Sequence, residues 1–402
     1  MQHLVQEKND SNDKLYDYTI VIHNDKISDI LPSKNYISND TVQAIILKGK
    51  FVVPGLIDAH VHFATDPTEE RRNNAEKVLK EMLLTGITSV RDMAGDARAL
   101  SSLSRDALVG DIVAPNIYYS SLMAGTTFFA DPRTIASAQG GISGQMPYMK
   151  AIDDTSNVVL EVAQAKGTGA SGIKMYADLT NNEVVKIVKE AKRQNIPVWS
   201  HAALQIAKPS EIIASGVISI SQANMLVYEN EDNESLINTW ISHESSEEEK
   251  EFWDKEFEKL DFSELYKLMI KNNVVLDATM SVLLIFKNHP KMIWRYEIGK
   301  RIIQQAHKTG VLIDAGSDSD QSTFVQHEMK LLVNECGFTP IDAIKAATKY
   351  SAMATGILER EGTIEVGKKA NLLLLTANPI ENIDHIDDTF LIIKNGELYN
   401  KK

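Results

Sequence analysis

The chain has 402 residues, a net charge of −13 and a single cysteine. That charge argues against non-specific binding to nucleic acid and against docking on anionic membranes. One thiol allows neither an internal disulfide nor a cysteine-based zinc knuckle, and at ~150 residues per domain the length suggests two or three units, although an α/β barrel runs ~250 residues as one.

Residues 1–14 are polar, and MQHLVQEKNDSNDKLYD lacks the apolar core of a signal peptide. No apolar run approaches the ~18 residues of a membrane span, so the cytoplasm is the default location. YTIVIHN and KISDILP read as a hairpin of short strands about Asp25, and TVQAIILKGKFVVPG adds another strand. Next comes the most telling stretch, FVVPGLIDAHVHF at 51–63. Side chains alternate along a strand, so His60 and His62 share a face while Val61 takes the other. Two imidazoles on one face at the end of a buried strand are placed to grip a metal; the plainer alternative is a pair of satisfied core histidines.

From here β and α patterns alternate. GLIDAHVHF is followed by strand candidates at 86–93, 116–123, 172–177, 197–203, 217–223, 274–280 and 311–319. Helical patterns separate most of them: RRNNAEKVLKEMLLTG, TSNVVLEVAQAKGTG, NNEVVKIVKEAKRQN, PSEIIASG and WRYEIGKRIIQQAHKTG. Eight strands, each followed by a helix, predict a closed parallel barrel. The acidic run at 229–261 reads as a solvated helical insertion, and Cys336 as a buried, inert thiol. At the C-terminus, GTIEVGKKANLLLLTA and DTFLIIKNGELYN are strand–turn–strand patterns with turns at Gly367 and Asn395-Gly396. The expected fold is α/β: a (β/α)8 TIM barrel over 55–357, inserted in a small β-sandwich domain built from both chain ends, 1–54 and 358–402.

Sites in such barrels sit at the C-terminal ends of the strands. His60 and His62 end the first strand, Lys174 lies in the fourth, His201 ends the fifth and Asp318 the eighth. A lone buried Lys or Asp is usually an ion-pair partner or a cap, but five donors from four strands on one rim call for a common purpose.

PGLIDAHVHF, GITSVRDM, GIKMY, the SHA of the fifth strand, AGSDS, HEMKLLVNECGFTPIDAIKAATKYSA and GTIEVGKKANLLLL together resemble the amidohydrolase superfamily over nearly the whole chain. The likeness is strongest to its imidazolonepropionase-like and prolidase-like branch. The resemblance implies that His60, His62 and Asp318 hold one divalent metal, most simply zinc. It further implies that Lys174 is carbamylated by CO2 and, with His201, serves a second metal. Apolar neighbours lower a lysine pKa, which favours that reaction. Divalent metals of this kind acidify water and polarise a carbonyl, and Asp318 then acts as general base and later general acid.

The pattern breaks at the sixth strand. Relatives of this type carry a histidine where GVISIS here leads to Gln222, and a glutamine oxygen is the weaker zinc ligand. His243 and His289 read as exposed surface residues, and His327 as a helix anchor. Three readings stay open: one working metal, Gln222 as ligand or substrate contact, or an inactivating change. Substrate clues are few. The loop AGTTFFADPRTIASAQGGISGQMPY is long; Phe128 and Phe129 are candidates for an apolar lid, Arg133 for an anionic group and Tyr228 for the carbonyl oxygen. The expected activity is hydrolysis of a C–N bond in an amide or cyclic amide of a small molecule. The alternatives are an Xaa-Pro or Xaa-basic dipeptidase and a barrel that binds without turnover. Homo-oligomers are common among such barrels, though no segment reads as an interface.

Overall fold

The computed structural model describes residues 2–5, 14–36, 44–64, 66–243, 249–319 and 324–400. Eight strands form the barrel wall: Leu56–Val61, Ile87–Asp92, Asn116–Gly125, Gly172–Met175, Val198–His201, Ser219–Ser221, Val275–Asp277 and Ile313–Asp314. Each pairs in parallel with the next. The ring closes between the eighth and the first: Ala59 N–H donates to the Ala315 carbonyl at 3.1 Å, and His62 N–H to the Ser319 carbonyl at 3.0 Å. Such strands are covered on both faces, inside by one another and outside by helices. Accordingly every residue of the first two is buried.

Helices follow the strands on the outside. Asn181–Arg193 shows how the sequence sets one: Thr180 and Glu183 form a capping box, and Val184, Ile187, Val188 and Ala191 repeat at helical spacing on the face turned to the wall. Two helices not singled out in the sequence complete the alternation, Ala97–Val109 and Ser263–Asn272. None of the helices among the described residues is long and apolar enough to cross a membrane.

The chain ends build the small β-sandwich. Its larger sheet runs in the order Glu397–Tyr399, Thr389–Lys394, Leu372–Leu375, Lys50–Pro54, Gln2–Val5, Lys14–Tyr16. The expected hairpin Tyr18–His23 with Lys26–Pro32 forms the second layer. Strand alternation lets Leu372–Leu375 serve two cores: Leu372 and Leu374 join Ile27, Val52, Leu391 and Ile393, while Leu373 and Leu375 join the barrel core. Asn395-Gly396 turns the last hairpin with φ of 51° and 80°, as its composition requires. GTIEV, in contrast, is not a strand; there the chain turns, and Lys369 makes only an isolated bridge to Lys26.

One expectation about insertions needs correction, and the loop after the third strand carries structure that its composition does not announce. That loop holds a short helix, Pro132–Ser137, and leads into a strand, Met149–Ile152, that pairs with Leu122–Gly125 beyond the reach of the second strand. The acidic insertion is helical, Asn233–Ser242 and Glu249–Phe257, yet it is not merely solvated. Trp240 and Trp253 are fully buried, and Trp240 Nε1–H donates to Glu256 Oε2 at 2.9 Å. His243 is half-buried and stacks on Phe252 at 3.5 Å, so it is not a free surface residue, whereas His289 is exposed as expected.

Candidate metal centre

The first strand delivers His60 and His62 to the C-terminal mouth of the barrel, and the turn after the eighth delivers Asp318. Their ligand atoms lie within 4.8 Å of one another, the one such His/Cys/Asp/Glu cluster among the described residues. Asp318 Oδ1 is 3.5 Å from His60 Nε2 and 3.3 Å from His62 Nε2. Both other ring nitrogens are committed. His60 Nδ1–H donates to Asp277 Oδ2 at 2.6 Å, and His62 Nδ1–H to the Ala94 carbonyl at 3.2 Å. Those partners fix the tautomers and leave two Nε2 lone pairs facing one carboxylate, the donor set a divalent metal requires. Burial pushes His60 below the usual histidine range. For Asp318 burial opposes ionisation, but the positive charge that His60, His62 and His201 carry when protonated, with a hydrogen bond from His62, outweighs it and holds the carboxyl well below the carboxylate range.

Backbone strain marks the same mouth. Gln222, Thr279 and Asp318 follow the sixth, seventh and eighth strands with φ of 74°, 48° and 48°. Non-glycine residues rarely adopt such conformations, and the surrounding structure must enforce them. Gly316 is needed for close approach: a Cβ there would sit 2.5 Å from His60 Cβ and 2.6 Å from Asp277 Oδ1.

The remaining sequence candidates gather around this point. Lys174 is buried on the fourth strand, and its Nζ donates to Ser221 Oγ at 3.2 Å. Burial pushes its ammonium down to about 7, Arg91 adding to the effect against the pull of Asp277. His201 is buried under Tyr176, with ring centroids 4.1 Å apart, and desolvation followed by Lys174 drives it well below the histidine range. Gln222 points into the site and donates its amide N–H to Asp318 Oδ2. His327 is exposed and anchors nothing by burial. Its neighbour Glu328 is the anchor, fully buried and accepting from Met280 N–H at 2.7 Å and Ser281 N–H at 2.6 Å.

Beneath the triad lies a charged layer that the sequence reading did not assign. Asp58, Arg91, Asp277 and Asp314 are all fully buried. Arg91 sits 3.5 Å from Asp277 and 3.6 Å from Asp314, donates to Ser219 Oγ and the Ala354 carbonyl at 2.8 Å, and stacks over Trp199 at 5.1 Å. Desolvation raises Asp58 to about 7 and Asp314 well above the carboxylate range. The signal was present in the sequence as charged residues inside otherwise apolar strand runs.

Above the triad opens a cavity of about 810 Å³, lined by His60, His62, His201, Gln222 and Asp318 at its floor. Phe128, Arg133 and Tyr228 line it too. Phe128 packs on Tyr176 at 4.6 Å and on Phe129 at 5.7 Å, so the expected apolar lid is an aromatic stack over His201. Arg133 is already neutralised by Asp131 in a fork of contacts at 2.7–3.2 Å.

The amidohydrolase family model matches residues 51–398. The ochratoxinase of Aspergillus niger is 26% identical over 382 residues, covering 83% of this chain and 71% of that protein. The imidazolonepropionase of Picrophilus torridus is 24% identical over 384 residues, 92% of this chain and 88% of its own. Among solved structures, a Xaa-Pro dipeptidase with bound methionine superimposes with a TM-score of 0.76 at 24% identity, covering 100% of this chain and 99% of that one. The chain therefore belongs to the amidohydrolase family, whose members generally use a divalent metal, and is a hydrolase acting on carbon–nitrogen bonds.

Proposed function

We propose that this chain hydrolyses a linear or cyclic amide with one tightly held divalent metal, zinc by its ligand types, at His60, His62 and Asp318. The observation that carries the reading is the convergence of two tautomer-fixed Nε2 atoms and one ionised carboxylate at the floor of a large cavity. A divalent ion there supplies Lewis-acid chemistry, acidifying a water and polarising a carbonyl oxygen. Asp318 accepts the water proton and returns it to the leaving amine. Gln222 holds one oxygen of that carboxylate through its amide N–H, leaving Oδ1 towards the histidines. Tyr228, on the cavity wall, is the hydrogen-bond donor we assign to the carbonyl oxygen.

Lys174, whose ammonium burial makes far easier to deprotonate than that of an exposed lysine, is suited to attack CO2 through its neutral amine, forming a carbamate and releasing a proton. That group and His201 would make a second metal position. With a glutamine at 222 engaged with Asp318, this position has one imidazole where two would be expected and holds metal weakly. Metal analysis after dialysis without bicarbonate is expected to find a single zinc per chain. Gln222→His is expected to raise this towards two when bicarbonate is present, and Lys174→Ala to abolish the bicarbonate-dependent part. A second zinc retained by the wild-type protein without bicarbonate would contradict the role given to Gln222.

A further inference from the structure

Side chains alternate along the sixth strand, so in Ser219–Ser221 both serines turn into the barrel and Ile220 turns away. Each hydroxyl accepts from one buried basic side chain. Ser219 Oγ takes Arg91 Nη1 at 2.8 Å, and Ser221 Oγ takes Lys174 Nζ at 3.2 Å. The two basic groups differ in what else they meet. Arg91 faces the carboxylates of Asp277 and Asp314 and donates to two backbone carbonyls. Lys174, 1% exposed, has no carboxylate within ion-pair reach among the described residues, and its hydrogen-bond partner there is Ser221 alone. A buried lysine that serves structure ends on an acid; this one ends on a neutral hydroxyl.

Ser221 is fully buried and takes no part in lining the cavity. In the strand ladder its neighbours are His201 on the fifth strand and Asp277 on the seventh. It therefore stands between the imidazole assigned to the second metal position and the carboxylate that holds His60. A small side chain at this point leaves Lys174 room to reach from the fourth strand, past the fifth, to the sixth.

We infer that Ser221 is a positioning residue for the carbamate of Lys174: its Oγ keeps one N–H of that nitrogen and so sets the direction of the carbamate oxygens. The inference rests on the carbamate reading above. A neutral amine carries two N–H bonds and a lone pair. On reaction with CO2 the lone pair forms the new N–C bond, one C–O π pair moves onto oxygen, and one N–H proton leaves to water. The nitrogen retains a single N–H, and the one held by Ser221 is retained without loss of a buried hydrogen bond. Polarised like a peptide N–H, it is a stronger donor than the amine N–H, so the bond tightens in the product and favours the carbamate. Because a carbamate is planar, as a peptide group is, holding its N–H fixes rotation about Cε–Nζ and with it both oxygens.

The test is carbon-13 NMR of the protein equilibrated with labelled bicarbonate, counting the carbamate resonance that disappears in Lys174→Ala. The wild type is expected to show it. In Ser221→Ala the bicarbonate concentration for half occupancy should rise about three- to tenfold, the worth of one buried hydrogen bond. Zinc bound in the presence of bicarbonate but not in its absence should weaken by at least that factor. Ser219→Ala removes an equally buried hydroxyl from the same strand, one that serves Arg91 instead, and should leave the half-occupancy concentration unchanged. A carbamate formed equally well by Ser221→Ala and wild type, or weakened as much by Ser219→Ala, would overturn the role of Ser221 while the carbamate reading stands. A wild type without the Lys174-dependent resonance would remove that reading and this inference with it.

Discussion

His60 illustrates how much of this site is made by residues that touch no substrate. Its Nε2 faces Asp318 and the proposed metal position because its Nδ1–H is held by Asp277, and Asp277 is held in turn by Arg91. Replacing the carboxylate by an amide removes the charge that favours this tautomer while keeping the shape. Asp277→Asn is therefore expected to weaken zinc binding about 10–100-fold with the fold retained, measured by competition with a chromogenic chelator. Unchanged affinity would mean that the His60 orientation does not depend on Asp277. His60, His62 and Asp318 were legible in the sequence because HxH in a strand and a carboxylate after an apolar strand are local patterns. Asp277 and Arg91 were visible as letters but not as partners, since their pairing joins positions far apart in the chain.

At the scale of elements, the strand ends do the positioning and the helices behind them hold the strand ends. Glu328, in the helix Val325–Cys336, accepts from the first N–H groups after the strained Thr279 and so fixes the turn that follows the seventh strand. Glu328→Ala leaves those buried donors unpaired and is expected to cost about 2–4 kcal/mol of stability by denaturant titration. Burial raises the Glu328 pKa to about 8, from 4.5 in the unfolded chain. Between those values the folded state binds more protons, so this group's contribution is fully present below about 4.5 and is lost as pH rises to about 8. The stability of wild type relative to Glu328→Gln should accordingly fall by about 1 kcal/mol or more between pH 5 and pH 8; a pH-independent difference would contradict the buried, protonated carboxyl. Sequence reasoning gave this anchoring to His327, one position away. A single step along a helix turns a side chain by about 100°, enough to exchange the buried face for the exposed one. The strand Met149–Ile152, just after the long loop, was not foreseen for a related reason: it is ordered by pairing with Leu122–Gly125, a tertiary contact that local composition does not announce.

For the whole molecule, the alternation of strand and helix was enough to foresee a closed barrel, and the mirrored β patterns at the two ends a shared small sandwich. The closure itself, through Ala59–Ala315 and His62–Ser319, is also what brings the first and eighth strands together. One set of backbone bonds thus closes the fold and brings together His60, His62 and Asp318, the cluster proposed to hold the metal. The catalytic account stands or falls on that triad. Its most direct test is zinc content after equilibrium dialysis of the wild-type protein and of the His60→Ala/His62→Ala double variant, with folding of both checked by circular dichroism. The wild type is expected to retain a single tightly bound zinc and the folded double variant none; equal zinc in the two proteins would place the metal elsewhere and contradict the account.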